Sequence, residues 1–326
     1  MSQLPHTDPA APVPEVSVIV VNWNAREVLR GCLASIAVET RAPHEVIVID
    51  NASADGSAGM VAAEFPGVRL IANPENRGFA AANNQGLAVA RGRNLLLLNP
   101  DTVVLDGAID RMLAWLGAHP EVGCVGCQVR TDPETIQMTC FADLTPANLA
   151  ITELGLGRFA RLWPRLARPF YAGWDRATAR EVEVVSGMFM LVPRAVLETV
   201  GPLDERFFIY SEEADWCRRI RAAGRTCAFE PSARILHLDG GSKSTEQVRA
   251  PMHVEMQRSK VLYVAKHHGP VWAAAMRALY AVSAALRLAL FGPLGALPGR
   301  TRDRARARLA GAALAFHLTG RGGAAA

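Results

Sequence analysis

The first half of the chain alternates short apolar runs with stretches of helical periodicity. Val16-Ser-Val-Ile-Val-Val21 is β-branched and almost wholly apolar, as an interior strand is, and Leu29, Leu33 and Ile36 then recur at helical spacing. Glu45-Val-Ile-Val-Ile-Asp50 reads as a second strand, residues 59–64 as a helix, 68–71 as a short strand and 80–90 as a further helix. Arg93-Asn-Leu-Leu-Leu-Leu-Asn-Pro-Asp101 follows as a strand buried on both faces and bounded by turn residues. Strand, helix and strand in so short a span make right-handed βαβ units. The pattern predicts an α/β fold with a mostly parallel, doubly wound sheet.

Four of these strands end in polar residues: Asn22 and Asn24, Asp50, Asn73, then Asn99 and Asp101. Open α/β sheets bind ligands beyond the carboxyl ends of their strands, so these residues line the expected crevice. A plainer reading of Asn99-Pro100-Asp101 is a turn with Asp101 capping the next helix. The glycines narrow the ligand. No G-x-G-x-x-G follows the first strand, where Asn22-Trp-Asn-Ala25 stands, and no G-x-x-x-x-G-K-[ST] occurs, which disfavours dinucleotide oxidoreductases and P-loop phosphotransferases. A diphosphate handled through a metal with few protein ligands remains, which suits Mg²⁺ or Mn²⁺. Gly78, after Asn76-Arg77, opens a helix where backbone amides can approach an anion, with Arg77 beside it. Asn83 and Asn84 fit equally a polar helix face or contact with the bound ligand.

The second half is less regular. Residues 131–180 mix aromatic and basic side chains, and residues 182–192 read as a strand interrupted at Ser186-Gly187. Glu212-Glu213-Ala-Asp215 opens a helix that runs through Trp216 and ends at Gly224. Three acids in a first turn complement a helix dipole, or, as a repelling cluster, raise one pKa and supply a general base. His237 ends a strand just before Gly240-Gly241, and residues 240–244 suit either a flap over a diphosphate or a plain connection.

Composition bounds the rest. Of 326 residues half are hydrophobic, and a net charge of +4 argues against nucleic acid as a partner. The six scattered cysteines form no disulfide framework, Cys124-Val-Gly-Cys127 sits in an apolar run, and the first 14 residues lack the layout of a secretory signal, which places the chain in a reduced, cytoplasmic compartment. Residues 1–14 read as a disordered lead-in and 15–260 as the main α/β domain, with a regular half over 15–130 that carries the expected nucleotide crevice and a less regular half over 131–260. Residues 261–326 form a helical, basic appendage. Its apolar run 271–291 places Arg277, Tyr280 and Arg287 on one face and is followed by Arg300, Arg302, Arg304, Arg306 and Arg308. That pattern predicts a helix lying on the inner face of an anionic membrane, with a bilayer span or packing on the α/β domain as alternatives.

Six ordered motifs between Val16 and Ser244 resemble the inverting family 2 glycosyltransferases of the GT-A fold, especially their rhamnosyltransferase-like bacterial branch. They are Val18-Ile-Val-Val-Asn-Trp-Asn24, Val48-Ile-Asp-Asn-Ala-Ser53, Asn76-Arg-Gly-Phe-Ala-Ala-Ala-Asn-Asn-Gln-Gly86, Leu97-Leu-Asn-Pro-Asp101, Ser186-Gly-Met-Phe-Met190 and Phe207-Phe-Ile-Tyr-Ser-Glu-Glu-Ala-Asp-Trp216. The resemblance implies transfer of a sugar, with inversion, from a nucleotide donor, leaning to dTDP-L-rhamnose, onto a glycan or polyprenyl-diphosphate-linked acceptor. It implies that Asp50 and Asn22 contact the nucleotide and that Asp101 is the last acid of a D-x-D metal motif, with Asn99 in the first acidic position. His237 then joins Asp101 at the metal. Glu213 is the implied base, preferred over Asp215, with Glu212, Trp216, Ser186 and Gly187 on the acceptor side and residues 131–260 as the acceptor half. A sugar nucleotidyltransferase and a non-catalytic saccharide-binding protein are the other function classes; the first lacks its glycine-rich loop here and the second would have shed the acids.

Overall fold

The computed structural model describes residues 12–238 and 249–321. Most of the expected lead-in and the glycine segment 240–244 lie outside the described residues. Eleven strands are described: β1 (Val16–Asn22), β2 (His44–Asp50), β3 (Arg69–Ala72), β4 (Asn94–Leu98), β5 (Thr102–Leu105), β6 (Val122–Arg130), β7 (Cys140–Phe141), β8 (Arg180–Val182), β9 (Val184–Val185), β10 (Phe189–Pro193) and β11 (Thr226–His237). The main sheet runs β3-β2-β1-β4-β10-β6-β11-β5, with β8 on β11 and a separate β7-β9 pair. Strands β3, β2, β1 and β4 are parallel, as the alternating pattern predicts. Next to them β10 runs antiparallel to both β4 and β6.

The alternation along β1 and β4 explains why this half is buried on both faces. Val18, Val20, Leu96 and Leu98 pack with Leu29, Leu33 and Ile36 of the Arg26–Glu39 helix. Ile19, Val21, Leu95 and Leu97 turn the other way, onto Ala80 and Leu87 of the Phe79–Val89 helix. Two apolar layers per strand fix the register, because a slip of one residue would exchange them. The turn at Asn99-Pro100-Asp101 leads directly into β5, so Asp101 caps no helix. The six cysteines are free and buried, Cys124 and Cys127 among them.

Three long helices close the chain: Arg249–His268, Pro270–Ala296 and Thr301–Thr319. The first crosses residue 260 and is fastened to the α/β half of the fold, through Tyr263 to Asp143, Ser259 Oγ to the Ile209 carbonyl (2.8 Å) and His267 to Asp215 (2.7 Å). The second is, among the described residues, the one helix long and apolar enough to cross a membrane. Its Arg277–Tyr280–Arg287 face corrects part of the sequence expectation: all three residues make contacts within the protein, although the Arg287 side chain stays exposed. Tyr280 is buried and stacks on His317, Arg277 Nε donates to the His317 carbonyl (2.8 Å), and Arg287 pairs with Glu153 (2.9 Å). Helical periodicity grouped these residues correctly, but each is bonded or stacked to another part of the chain.

Candidate active site

Parallel register sets Asn22 opposite Asp50 at the carboxyl ends of β1 and β2. The buried Asn22 amide donates to Asp50 Oδ1 (2.9 Å) and to Ser53 Oγ (3.1 Å), and the Ser53 amide donates to Asp50 Oδ2 (3.0 Å). Asn24, in the left-handed region at φ 52°, accepts from the Ala54 amide (2.7 Å). These bonds lace the two strand-end loops into one rim. Asn22 Oδ1 stays buried without a partner, an acceptor left over at the edge of the crevice. Asn73 lines the crevice as its strand-end position predicts, and it is joined there by Asn51 and Gln85, for which the sequence suggested no individual role. Asn51 Nδ2 donates to the Gly78 carbonyl (3.1 Å) while Asn73 links Asn51 and Gln85 (2.9 and 2.8 Å), so the polar network carries on to the third strand end. The only prior signal was their position beside Asp50 and at the end of a strand.

Gly78 is needed for shape more than for anion contact. At φ 82° it lies in the left-handed region, and a Cβ there would stand 2.5 Å from the Phe208 carbonyl oxygen. Its own amide donates to Asn76 Oδ1 (3.0 Å), and the next amide, of Phe79, donates to that Phe208 oxygen (2.6 Å). The amides expected to face an anion are thus engaged within the loop. Arg77 follows the same bend, its amide near Asn51 Oδ1 (3.4 Å). Asn83 and Asn84 resolve toward structure. Buried Asn83 donates to the Phe79 carbonyl (2.9 Å), and Asn84 exchanges bonds with the backbone of Leu203 (2.9 and 3.0 Å).

At the end of β4 the buried Asp101 Oδ1 accepts no well-aligned hydrogen bond but lies 3.2 Å from Nε2 of His237. The imidazole is oriented from behind by Gln137, whose Oε1 is 3.0 Å from Nδ1. The Asp101 backbone carbonyl accepts from Leu238 (2.8 Å), which fastens the two strand ends together. A carboxylate oxygen without a proper donor and an imidazole held by a second partner fit a divalent cation that takes its remaining ligands from phosphate and water. Among the described residues no group of three or more His, Cys, Asp or Glu side chains is arranged for a metal. Asn99 sits half-buried at the same turn, its amide donating to the Met188 carbonyl (3.1 Å) and its carbonyl accepting from Thr102 (2.8 Å).

The acceptor side is brought up by the segment before the Glu212–Ala222 helix. Tyr210 and Ser211 occupy the left-handed region in succession, at φ 71° and 68°, a strained bend that aims the first turn of the helix. Phe208 in that segment is bonded to the Gly78–Phe79 corner, and Ser186-Gly187 meets the same corner: a Cβ on Gly187 would lie 3.5 Å from the Phe79 ring. Burial, reinforced by the Glu213 charge, holds the Glu212 carboxyl well above its usual range. Glu213 is half-buried, and burial pushes its pKa up to about 7. Each carries a buried Oε2 with no partner.

Asp215 departs from the catalytic expectation. It is wholly buried, with Oδ1 on Lys266 (2.6 Å) and His267 (2.7 Å) and Oδ2 on Arg219 (2.9 Å). Burial alone would raise its pKa, but hydrogen bonds from His267, Lys266 and Arg219 lower it. Such a carboxylate is a counter-ion and not a proton acceptor. Trp216, expected on the acceptor side, is fully buried and donates to the Gly201 carbonyl (2.9 Å), which makes it an anchor of the helix.

A family profile described as glycosyl transferase family 2 matches residues 17–201. An N-acetylglucosaminyl-diphospho-decaprenol L-rhamnosyltransferase of Mycobacterium tuberculosis is 28% identical over 285 residues, 83% of this chain and 90% of that protein. A succinoglycan biosynthesis protein of Rhizobium meliloti is 28% identical over 242 residues, 71% of this chain and 63% of its own length. Among solved structures, a mannosyltransferase of Pyrobaculum calidifontis in complex with GDP-Man and Mn²⁺ superposes with a TM-score of 0.55. It is 21% identical, covering 96% of this chain and 89% of its own, a likeness of fold.

Proposed function

The chain belongs to glycosyl transferase family 2, in its rhamnosyltransferase-like branch, and from that premise we propose that it transfers L-rhamnose, with inversion, from dTDP-L-rhamnose to a hydroxyl of a polyprenyl-diphosphate-linked glycan. The donor and acceptor classes are supported by the rhamnosyltransferase relative, whose name carries a decaprenol-linked diphosphate. The reaction belongs to polysaccharide synthesis and runs on the cytoplasmic face of a membrane.

The observation that carries the mechanism is the unequal treatment of three neighbouring acids. Asp215 is bonded by Lys266, Arg219 and His267, the Glu212 carboxyl is pushed well above its usual range by burial and the Glu213 charge, and Glu213 keeps an unpartnered oxygen and a pKa of about 7. A base with that pKa is half ionised at neutral pH and takes up the acceptor's hydroxyl proton as the new bond forms. With Glu212 buried and shifted up and Asp215 paired, Glu213 is the carboxylate of this turn best placed to act. That suits a single displacement better than a double one through a second nucleophile. Asn22, Asp50 and Ser53 would bind the nucleotide portion, and Asp101 with His237 would hold Mg²⁺ or Mn²⁺. The cation, when bound, supplies Lewis-acid stabilisation to the departing nucleoside diphosphate.

The test is incubation with divalent metal, a panel of nucleotide sugars and a polyprenyl-diphosphate glycan, scoring nucleoside diphosphate against pyrophosphate and assigning the new anomeric centre by NMR. Nucleoside diphosphate release with an inverted linkage from dTDP-L-rhamnose is expected. Pyrophosphate release, a retained configuration or preference for another donor would each refute the corresponding part.

A further inference from the structure

On the Pro270–Ala296 helix Tyr280 and Ser283 are buried and Arg277 and Arg287 bond to the rest of the fold, with Arg287 exposed at the edge; beside them the helix presents an apolar stripe. Val271, Val282, Leu286 and Leu290 are 79, 58, 67 and 59% exposed, and the positions between them at helical spacing, Ala275, Ala278, Ala285 and Ala289, are exposed too. At 27 residues the helix is about 40 Å long, so the stripe is far larger than a scattered surface leucine. A groove of about 500 Å³ extends it sideways, where Trp272 and Ala275 face Pro146 and Ala147.

A second exposed apolar patch comes from far away in sequence. In the turns around Leu156–Phe159 and Pro164–Phe170, Leu154, Leu162 and Trp163 are 47, 71 and 60% exposed, and Phe159 packs edge-on against Trp163. The two patches are joined at Glu153, whose carboxylate accepts from Ser283 (2.6 Å) and pairs with Arg287 (2.9 Å) on the long helix. Residues 154–174 contain Arg158, Arg161, Arg165 and Arg168 and no acid, and residues 269–302 contain no acid either. Tryptophan and arginine around an apolar stripe form the composition of a membrane-interface surface.

We propose that these two patches form one docking face that lies in the headgroup–acyl boundary of an anionic bilayer, with the long helix in the membrane plane. A transmembrane orientation of the helix would strip Tyr280 and Ser283 from their packing and break the bonds of Arg277 and Arg287. A second copy on the same face would bring like-charged arginine turns together. The inference rests on the lipid-linked acceptor reading for its purpose, and its readout is vesicle binding alone, so it stands or falls separately from sugar transfer.

The experiment is sedimentation of the full chain with vesicles of phosphatidylcholine alone and with a third phosphatidylglycerol, for the wild type, Leu162→Asp, Leu286→Asp and a control, Val38→Asp. Val38 is equally exposed and apolar but lies on the Arg26–Glu39 helix of the catalytic sheet. Both variants on the docking face should lose at least tenfold in partitioning to anionic vesicles with unchanged thermal midpoints, and Val38→Asp should lose nothing. Wild-type binding by Leu162→Asp would remove the turns from the face. Alkali-resistant, protease-protected insertion of the helix would establish a span, and a concentration-dependent dimer abolished by Leu286→Asp would assign the face to a second copy; either result overturns the proposal.

Discussion

His267 Nε2 stands 2.7 Å from Asp215 Oδ1, and Lys266 reaches the same oxygen at 2.6 Å. Two consecutive residues of the Arg249–His268 helix therefore neutralise an acid in the first turn of the helix that carries the candidate base. Lys266 also bridges to Asp204 (2.8 Å), and the Arg219 guanidinium closes the other side of Asp215 while capping the Val200 and Pro202 carbonyls. The arrangement ties up both oxygens of Asp215, which supports Glu213 as the candidate base of this turn.

Asp215→Ala should accordingly be a stability variant. It leaves Lys266 and Arg219 short of a buried partner, and breaking one side of a buried ion-pair network costs on the order of 3–5 kcal/mol. Urea denaturation should show that loss, whereas Glu213→Gln should unfold within about 1 kcal/mol of the wild type. A stable, inactive Asp215→Ala would restore that residue as a candidate base.

Glu213 should also set a pH profile. With a pKa near 7, transfer at saturating substrates should rise with pH through about 7 and then level off, and Glu213→Gln should keep donor affinity while losing transfer. Stability should move in the opposite sense. The folded-state pKa lies above the ordinary value of 4.5, so the contribution from Glu213 is complete below about 4.5 and is lost as pH rises through about 7. Glu212 is raised as well and adds to the same trend. Asp215 is shifted down, so its contribution is present above its unfolded pKa and fades only in acid. Thermal midpoints across pH 5 to 9 should therefore fall through neutrality, less steeply in Glu213→Gln; a flat wild-type profile would contradict the buried acid pair.

The parallel half of the sheet was legible because β1 and β4 are buried on both faces, and an unbroken apolar run that stops on polar residues fits little else than an interior parallel strand. The reversed direction of β10 was not. An apolar run such as Phe189–Pro193 carries no mark of its orientation, and its neighbours β4 and β6 are chosen by long-range packing. The site divided in the same way. Asn22, Asp50 and Asp101 announced themselves as strand ends, but the true state of Asp215 depends on residues some 50 positions later. The orientation of His237 depends on Gln137, 100 positions earlier. The Arg277–Tyr280–Arg287 face was read correctly as a face, but the burial of Tyr280 and the bonds of the two arginines to other parts of the chain were not legible, since periodicity does not say what covers a face.

Asp101→Ala should abolish metal-stimulated donor turnover while the protein remains folded. The backbone bond from Leu238 to the Asp101 carbonyl does not need the side chain, and the carboxylate lies outside both apolar layers of β4. Isothermal titration with Mn²⁺ and a nucleoside diphosphate should show loss of the metal-dependent component in this variant and a partial loss in His237→Ala. Undiminished metal-dependent binding in Asp101→Ala would place the cation elsewhere.

Gly78→Ala tests whether the corner between the nucleotide rim and the acceptor loop is a mechanical joint. The added Cβ meets the Phe208 carbonyl oxygen at 2.5 Å and the Phe208 ring at 2.7 Å, in a backbone conformation at φ 82° that side chains resist. A backbone oxygen cannot swing aside as a side chain can, so either the Asn76–Phe79 bend opens or the Phe208–Ser211 bend retreats. Strain and a lost Phe79–Phe208 hydrogen bond together should cost roughly 2–4 kcal/mol. The second effect is more specific: Phe208 leads within a few residues to Glu213, so its retreat should lower the turnover rate well beyond the change in donor affinity. Donor titration and single-turnover transfer by Gly78→Ala, below its own unfolding temperature, separate the two effects. Equal losses in affinity and turnover would mean that the corner serves the nucleotide rim alone and does not position the base.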